Sequence, residues 1–123
     1  MKIVYLSGGI KDFSKSDKHD WREKSKSLLG CETIDPTRIS YDGRNPAIIV
    51  ELDKSDIDKS SHVLVYYIRP SVGTSMEIFY AWERKKPVYI VNESNVELSP
   101  WMLYHSTRIF KTLDEALQQI KDD

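Results

Sequence analysis

The chain has 123 residues, enough for one domain with one core. Its hydrophobic content of 40%, charged content of 30% and net charge of −1, without a long run of like charge, describe an ordinary soluble protein. They argue against a nucleic-acid polymer or a membrane surface as partner, although a few local donors suffice for one small anion. Cys31 is the single cysteine, so no intrachain disulfide can form, and a reducing, cytoplasmic compartment is expected. The apolar run Ile3 to Leu6 is too short for a signal peptide or a membrane span. His19, His62 and His105 are scattered and no CxxC or HExxH occurs, so no metal site is expected. No repeat, low-complexity segment or linker interrupts the chain, and residues 1–123 read as one domain.

Lys2 to Leu6 reads as a first strand, followed by the glycine-bearing loop SGGIK, Ser7 to Lys11. A helix is predicted from Asp17 to Leu29, with Trp21, Leu28 and Leu29 on its apolar face, Ser25 between them and Gly30 as its C-terminal cap. Cys31 to Ile34 is a short second strand, and Asp35 to Asn45 a polar loop. Asn45 followed by Pro46 is a strong helix start, and that helix should reach Ser60. The unbroken apolar run His62 to Ile68 reads as a buried parallel strand. A helix apolar nearly all round follows from Thr74 to Lys85. Pro87 to Val91 is a fourth strand, Ser99 and Pro100 open a short helix through Leu103, and Arg108 to Phe110 is a fifth strand. Thr112 with Glu115 forms a capping box for a last helix that turns Ala116, Leu117 and Ile120 to one side. The alternation predicts a flavodoxin-like or Rossmann-like α/β fold, a doubly wound five-stranded parallel sheet in the order 2-1-3-4-5.

In that order the loops after the first and third strands meet at the point where the winding reverses, the usual ligand edge of such sheets. These loops are Ser7 to Lys11 and Arg69 to Thr74. Both carry glycine, hydroxyls and backbone N–H groups near a helix start, and together they make a phosphate cradle. Glu77 stands just beyond the second loop. Thr74 and Glu77 have capping-box spacing, so a purely structural role competes with a functional one. A second acid lies in the helix from Pro46 to Ser60. Ile48, Ile49, Val50, Leu52 and Ile57 define an apolar arc there, and both Asp53 and Asp56 fall inside it. Burying either is costly without a partner. Two carboxylates at a concave edge suit glycosidic chemistry, one attacking and one handling a proton; they suit a structural ion-pair network equally well.

Four segments in order, KIVYLSGGI, VELDKSDIDKSS leading into HVLVYYI, PSVGTSMEIFYA and ELSPW, resemble the nucleoside 2-deoxyribosyltransferase superfamily along nearly the whole chain. That superfamily contains transferases that move deoxyribose between bases and N-glycosidases that hydrolyse nucleoside 5′-monophosphates. The resemblance implies that Glu77 is the nucleophile, that Asp53 rather than Asp56 is the acid near base and sugar, and that Tyr5 orients the nucleophile. It places Gly8, Gly9, Ile10, Lys11, Ser71, Gly73 and Ser99 at the substrate and its phosphate. Transferases acting on unphosphorylated nucleosides carry an acid six residues before the nucleophile, where this chain has Ser71. Ser99 matches a hydrolase serine donated by the neighbouring subunit. Lys11 stands where the hydrolases have arginine, which keeps the charge and loses the bidentate fork. Turn chemistry after Pro70 and helix capping before Pro100 would explain the two serines without any ligand.

The resemblance thus implies cleavage of a (deoxy)nucleoside 5′-monophosphate through a covalent glycosyl-glutamate released by water, without a cofactor. It also implies a homodimer or higher homo-oligomer with shared active sites. Three tryptophans and seven tyrosines fit an interface. Base exchange by deoxyribosyl transfer is the nearest rival, and a non-catalytic nucleotide-binding module the next. A receiver domain would need an aspartate where Tyr67 and Ile68 stand, and a flavin carrier a first loop richer in hydroxyls.

Overall fold

The computed structural model describes residues 1–9, 15–40 and 43–123, with the side chains of 15–20 outside the description. Among the described residues five strands and five α-helices alternate: β1 Ile3–Ser7, α1 Lys15–Leu29, β2 Glu32–Ile34, α2 Pro46–Lys59, β3 His62–Tyr66, α3 Val72–Glu83, β4 Val88–Val91, α4 Pro100–Tyr104, β5 Arg108–Phe110 and α5 Leu113–Asp122, with a single 3-10 turn, Pro36–Arg38, in the polar segment between β2 and α2. Every strand pair is parallel and the order is β2-β1-β3-β4-β5, as the alternation of elements predicts.

The central strands β1, β3 and β4 are buried on both faces, which is why they read as continuous apolar runs, whereas the edge strands β2 and β5 stay partly exposed. Val4, Leu6, Leu64, Tyr89 and Val91 pack against Trp21 and Leu29 of α1 and Leu113, Ala116, Leu117 and Ile120 of α5. On the other face Tyr5, Val63, Val65, Val88 and Ile90 meet Ile57 of α2, Ile78 and Ala81 of α3 and Met102 of α4. Side chains two apart on a strand share a face, so Tyr5 and Ser7 both point toward α2 and α3.

Local chemistry sets most helix ends where expected. Asn45 accepts from the Ala47 N–H ahead of Pro46, Ser99 from the Met102 N–H, Thr112 from the Glu115 N–H, and Gly30 follows α1 at a φ of +67°. One expectation fails. α3 begins at Val72, not Thr74, because Ser71 supplies the cap by accepting from the Thr74 N–H. Thr74 is buried at 3% exposure inside the first turn, so its hydroxyl is not the cap and Glu77 closes no capping box. β3 ends at Tyr66 rather than Ile68, and β2 starts at Glu32 rather than Cys31. In α1 Leu28 is exposed and Arg22 is fully buried, so its inward face is Trp21, Arg22, Ser25 and Leu29. In α2 the expected arc is only partly covered, since Ile48 and Val50 are exposed.

Candidate active site

β1 carries two hydroxyl donors in succession on one face, and α3 brings a carboxylate to meet them. The Tyr5 hydroxyl donates to Oε2 of Glu77 at 2.6 Å and the Ser7 hydroxyl to Oε1 at 2.7 Å. Both carboxylate oxygens are therefore held at fixed positions, one from each residue of an i, i+2 pair. Tyr5 and Ser7 are completely buried. Glu77 sits in the second turn of α3, at the carboxyl edge of the sheet and at the winding reversal between β1 and β3.

Asp53 reaches the same carboxylate from α2 and shares a hydrogen bond with it. Burial pushes the Glu77 pKa up from 4.5 to about 7. The Tyr5 and Ser7 hydroxyls pull it back down, and the charge of Asp53 and its hydrogen bond raise it further. Two neighbouring carboxylates cannot both ionise without penalty, which is why Asp53 adds to the upward shift of Glu77. Asp56, the other acid in the apolar arc, is spent elsewhere. It is 2% exposed and paired with Nη2 of Arg38 at 2.8 Å. Periodicity admits both acids; the partners separate them.

The loop after β1 is crowded at Gly8. A Cβ there would lie 3.0 Å from Cζ2 of Trp21 and 3.2 Å from the Tyr66 carbonyl oxygen, so only glycine lets this turn settle against α1 and β3. Gly9 follows, half-buried. Ile10 and Lys11 lie outside the described residues. Across the reversal Ser71 is half-buried, and its oxygen sits a long 3.4 Å from the Thr74 N–H, leaving its own O–H as a donor. A side chain at Gly73 would meet nothing within 4 Å, so the glycine leaves the start of α3 bare. The opening N–H groups of a helix lack intrahelical partners and favour an anion.

Ser99 does not join this group. It lines a groove of about 360 Å³ between α3 and α4, with Ser75, Met76, Phe79, Trp101 and His105 among its walls. At about 100° per residue, Ser75, Met76 and Phe79 point away from the side of α3 that carries Glu77. The structure brings Tyr5, Asp53 and Glu77 together and sets Ser99 on the far side of the helix.

Ser7 was not singled out as a partner of Glu77 by sequence reasoning, although its position two residues beyond Tyr5 on one strand was the signal. Arg22, buried beside the first loop, had no such signal. Among the described residues no group of three or more His, Cys, Asp or Glu is placed to hold a metal ion, and no helix is long and apolar enough to cross a membrane.

No model of a known protein family matches the chain, and no curated protein matches it in sequence. Solved structures do. A conserved protein from Enterococcus faecalis superposes with a TM-score of 0.82 at 15% identity, covering 99% of this chain and 98% of its own. The 2-deoxyribosyltransferase from Bacillus psychrosaccharolyticus follows at 0.77 and 14%, covering 94% and 90%. The fold is the 2-deoxyribosyltransferase fold. A CMP N-glycosidase from Clostridium botulinum shares it at a TM-score of 0.68 and 21% identity, over 99% of this chain and 100% of that one. One fold is thus shared by a 2-deoxyribosyltransferase and a CMP N-glycosidase among these neighbours.

Proposed function

We propose that the protein is an N-glycosidase that cleaves the bond between base and sugar in (deoxy)nucleoside 5′-monophosphates. The observation that carries the reading is the Glu77 carboxylate, held by Tyr5 and Ser7 and coupled to Asp53 at the ligand edge of a deoxyribosyltransferase fold. A carboxylate enclosed in this way, with two oriented donors and an acid beside it, answers the needs of glycosidic displacement.

In the first step a Glu77 oxygen attacks C1′ as the bond from C1′ to the base nitrogen breaks. The base leaves with that electron pair and takes a proton from Asp53. In the second step the Asp53 carboxylate accepts a proton from water, whose oxygen attacks C1′ and breaks the ester. Sugar 5-phosphate departs, with Glu77 again ionised and Asp53 again protonated. Tyr5 and Ser7 hold the nucleophile and favour its charged form. The opening turn of α3 with Ser71, and the Gly8 and Gly9 loop with Ile10 and Lys11, take the phosphate. Serine at 71 spares the dianion the repulsion an acid would impose.

Base exchange, with a second base in place of water, remains the second reading, because the backbone fits the Bacillus transferase more closely than the Clostridium glycosidase. We read residues 1–123 as one domain acting in the cytoplasm as a homodimer or higher oligomer. Ser99 then completes the site of a neighbouring copy. Exposed Met76, Phe79 and Trp101 in the walls of that groove support the pairing.

The test is incubation with a panel of nucleosides and 5′-monophosphates, with and without a free base, followed by chromatography. Free base and sugar 5-phosphate, formed faster from monophosphates, are expected. Exchange only in the presence of a second base would favour transfer, and no base released from any compound would end the enzyme reading.

A further inference from the structure

Arg22 is an arginine with no exposed surface, an expensive placement unless its charge is answered. Its partners include the end of β1 and the turn that follows it. One Nη2 donates to the carbonyl oxygens of Leu6 at 3.4 Å and Gly8 at 3.3 Å. Nε lies 3.5 Å from Oδ1 of Asp35, and the guanidinium stacks 4.5 Å above the Trp21 ring. Two carbonyls two residues apart lie on one edge of a strand. β2 ends opposite Tyr5, at Ile34, and Asp35 is the next residue. Arg22 therefore continues the sheet edge where β2 stops, with its planar fork spanning what a strand would have bonded.

We propose that Arg22 is the positioning residue of the Gly8–Gly9 turn after β1, holding the Gly8 carbonyl inward so that the Gly9 N–H is turned to the phosphate of the substrate. The geometry follows from the peptide itself. In a planar trans peptide the N–H points opposite to the carbonyl, so fixing the Gly8 oxygen on Arg22 directs the Gly9 N–H away from α1. Trp21 and the Tyr66 carbonyl leave no room for a side chain at Gly8, so the backbone there can lie against Arg22. Asp35 is tied onward: its backbone oxygen accepts from Nη1 of Arg38, and Arg38 pairs with Asp56 on α2, the helix that carries Asp53. The inference rests on the nucleotide reading for the identity of the anion.

The experiment compares wild type with Arg22→Met and Arg22→Lys, each shown folded by circular dichroism. Steady-state kinetics are measured on one 5′-monophosphate and on its nucleoside, and binding of inorganic phosphate by calorimetry. In Arg22→Met the KM for the monophosphate should rise on the order of tenfold, with the KM for the nucleoside little changed. Phosphate affinity should fall in step. Loss of kcat on both substrates at unchanged KM would mark Arg22 as a fold element only and overturn the proposal. If Arg22→Met does not fold, Arg22→Lys decides, since one ammonium cannot span both carbonyls and Asp35. The monophosphate KM should rise in the same direction, and an unchanged ratio of the two KM values overturns the proposal. Wild type that binds phosphate yet releases no base would sink the glycosidase reading alone. Arg22 would then stand or fall on phosphate affinity.

Discussion

Glu77→Gln separates the cost of the site from its use. Burial and Asp53 raise the Glu77 carboxyl from 4.5 to about 7. At 1.36 kcal/mol per pH unit this corresponds to about 3 kcal/mol. The folded-state pKa lies above the unfolded one. Below about 4.5 both states are therefore protonated and no penalty is felt. As pH rises through that range the unfolded chain ionises first and stability falls; above about 7 the full penalty remains. Glutamine has the same shape and no charge to bury. Glu77→Gln should match wild type at pH 4 and exceed it by up to about 3 kcal/mol at pH 8, on the order of 10 °C in Tm. Turnover should vanish at every pH. Urea unfolding at pH 4, 6 and 8, with base release measured on the same samples, checks both parts. A variant less stable than wild type at pH 8 would refute the burial argument, and near-normal activity would refute the nucleophile.

Tyr5→Phe removes a donor that favours the ionised carboxylate, so the Glu77 pKa should rise further. The acid limb of kcat/KM then moves to higher pH by about one unit; an unmoved limb contradicts the assignment. Ser71→Asp should weaken nucleotide use by charge repulsion and spare nucleosides, and equal losses on both would show that Ser71 only caps α3. Inactive Glu77→Ala mixed with a crippled Ser99 variant should regain activity after subunit exchange. No recovery despite proven exchange, or a monomer in sedimentation, would refute the shared site.

The fold was legible because the three central strands are buried on both faces and most helices start on a local signal. Asn45, Ser99 and Thr112 cap within three residues of themselves, so short sequence windows contain the whole interaction. For α3 the spacing pointed to Thr74 as the cap. Thr74 loses to Ser71 because its side chain is taken into the core, a tertiary fact that spacing cannot carry. Leu28, expected inside, is exposed, and the inward face of α1 takes Arg22 instead. The charge of Arg22 is answered by Asp35 and by the carbonyls of Leu6 in β1 and Gly8 just beyond it, so its burial depends on the assembled sheet edge. Asp53 and Asp56 share one arc of α2. Only the position of Arg38, on the loop after β2, assigns one to an ion pair and leaves the other facing Glu77.

The site spreads its demands over both faces of one helix. α3 presents Glu77 to Tyr5 and Ser7, and Ser75, Met76 and Phe79 to the groove that holds Ser99. A side chain cannot pass through the helix, so within one chain Ser99 and Glu77 address different spaces. The groove side is apolar and open, with Met76 66% and Trp101 71% exposed, whereas the Glu77 side is polar and closed. Such a division is wasteful if each chain works alone, since it leaves large side chains in water with nothing to cover them. It is economical if the groove of one copy receives another. Burying that apolar face would then hold the subunits together and set the donated serine against the neighbour's phosphate cradle. The nearly all-round apolar pattern of α3 divides in the same way: Ile78 and Ala81 build the sheet's core, and Met76 and Phe79 stand on the exposed side, where a second copy would cover them.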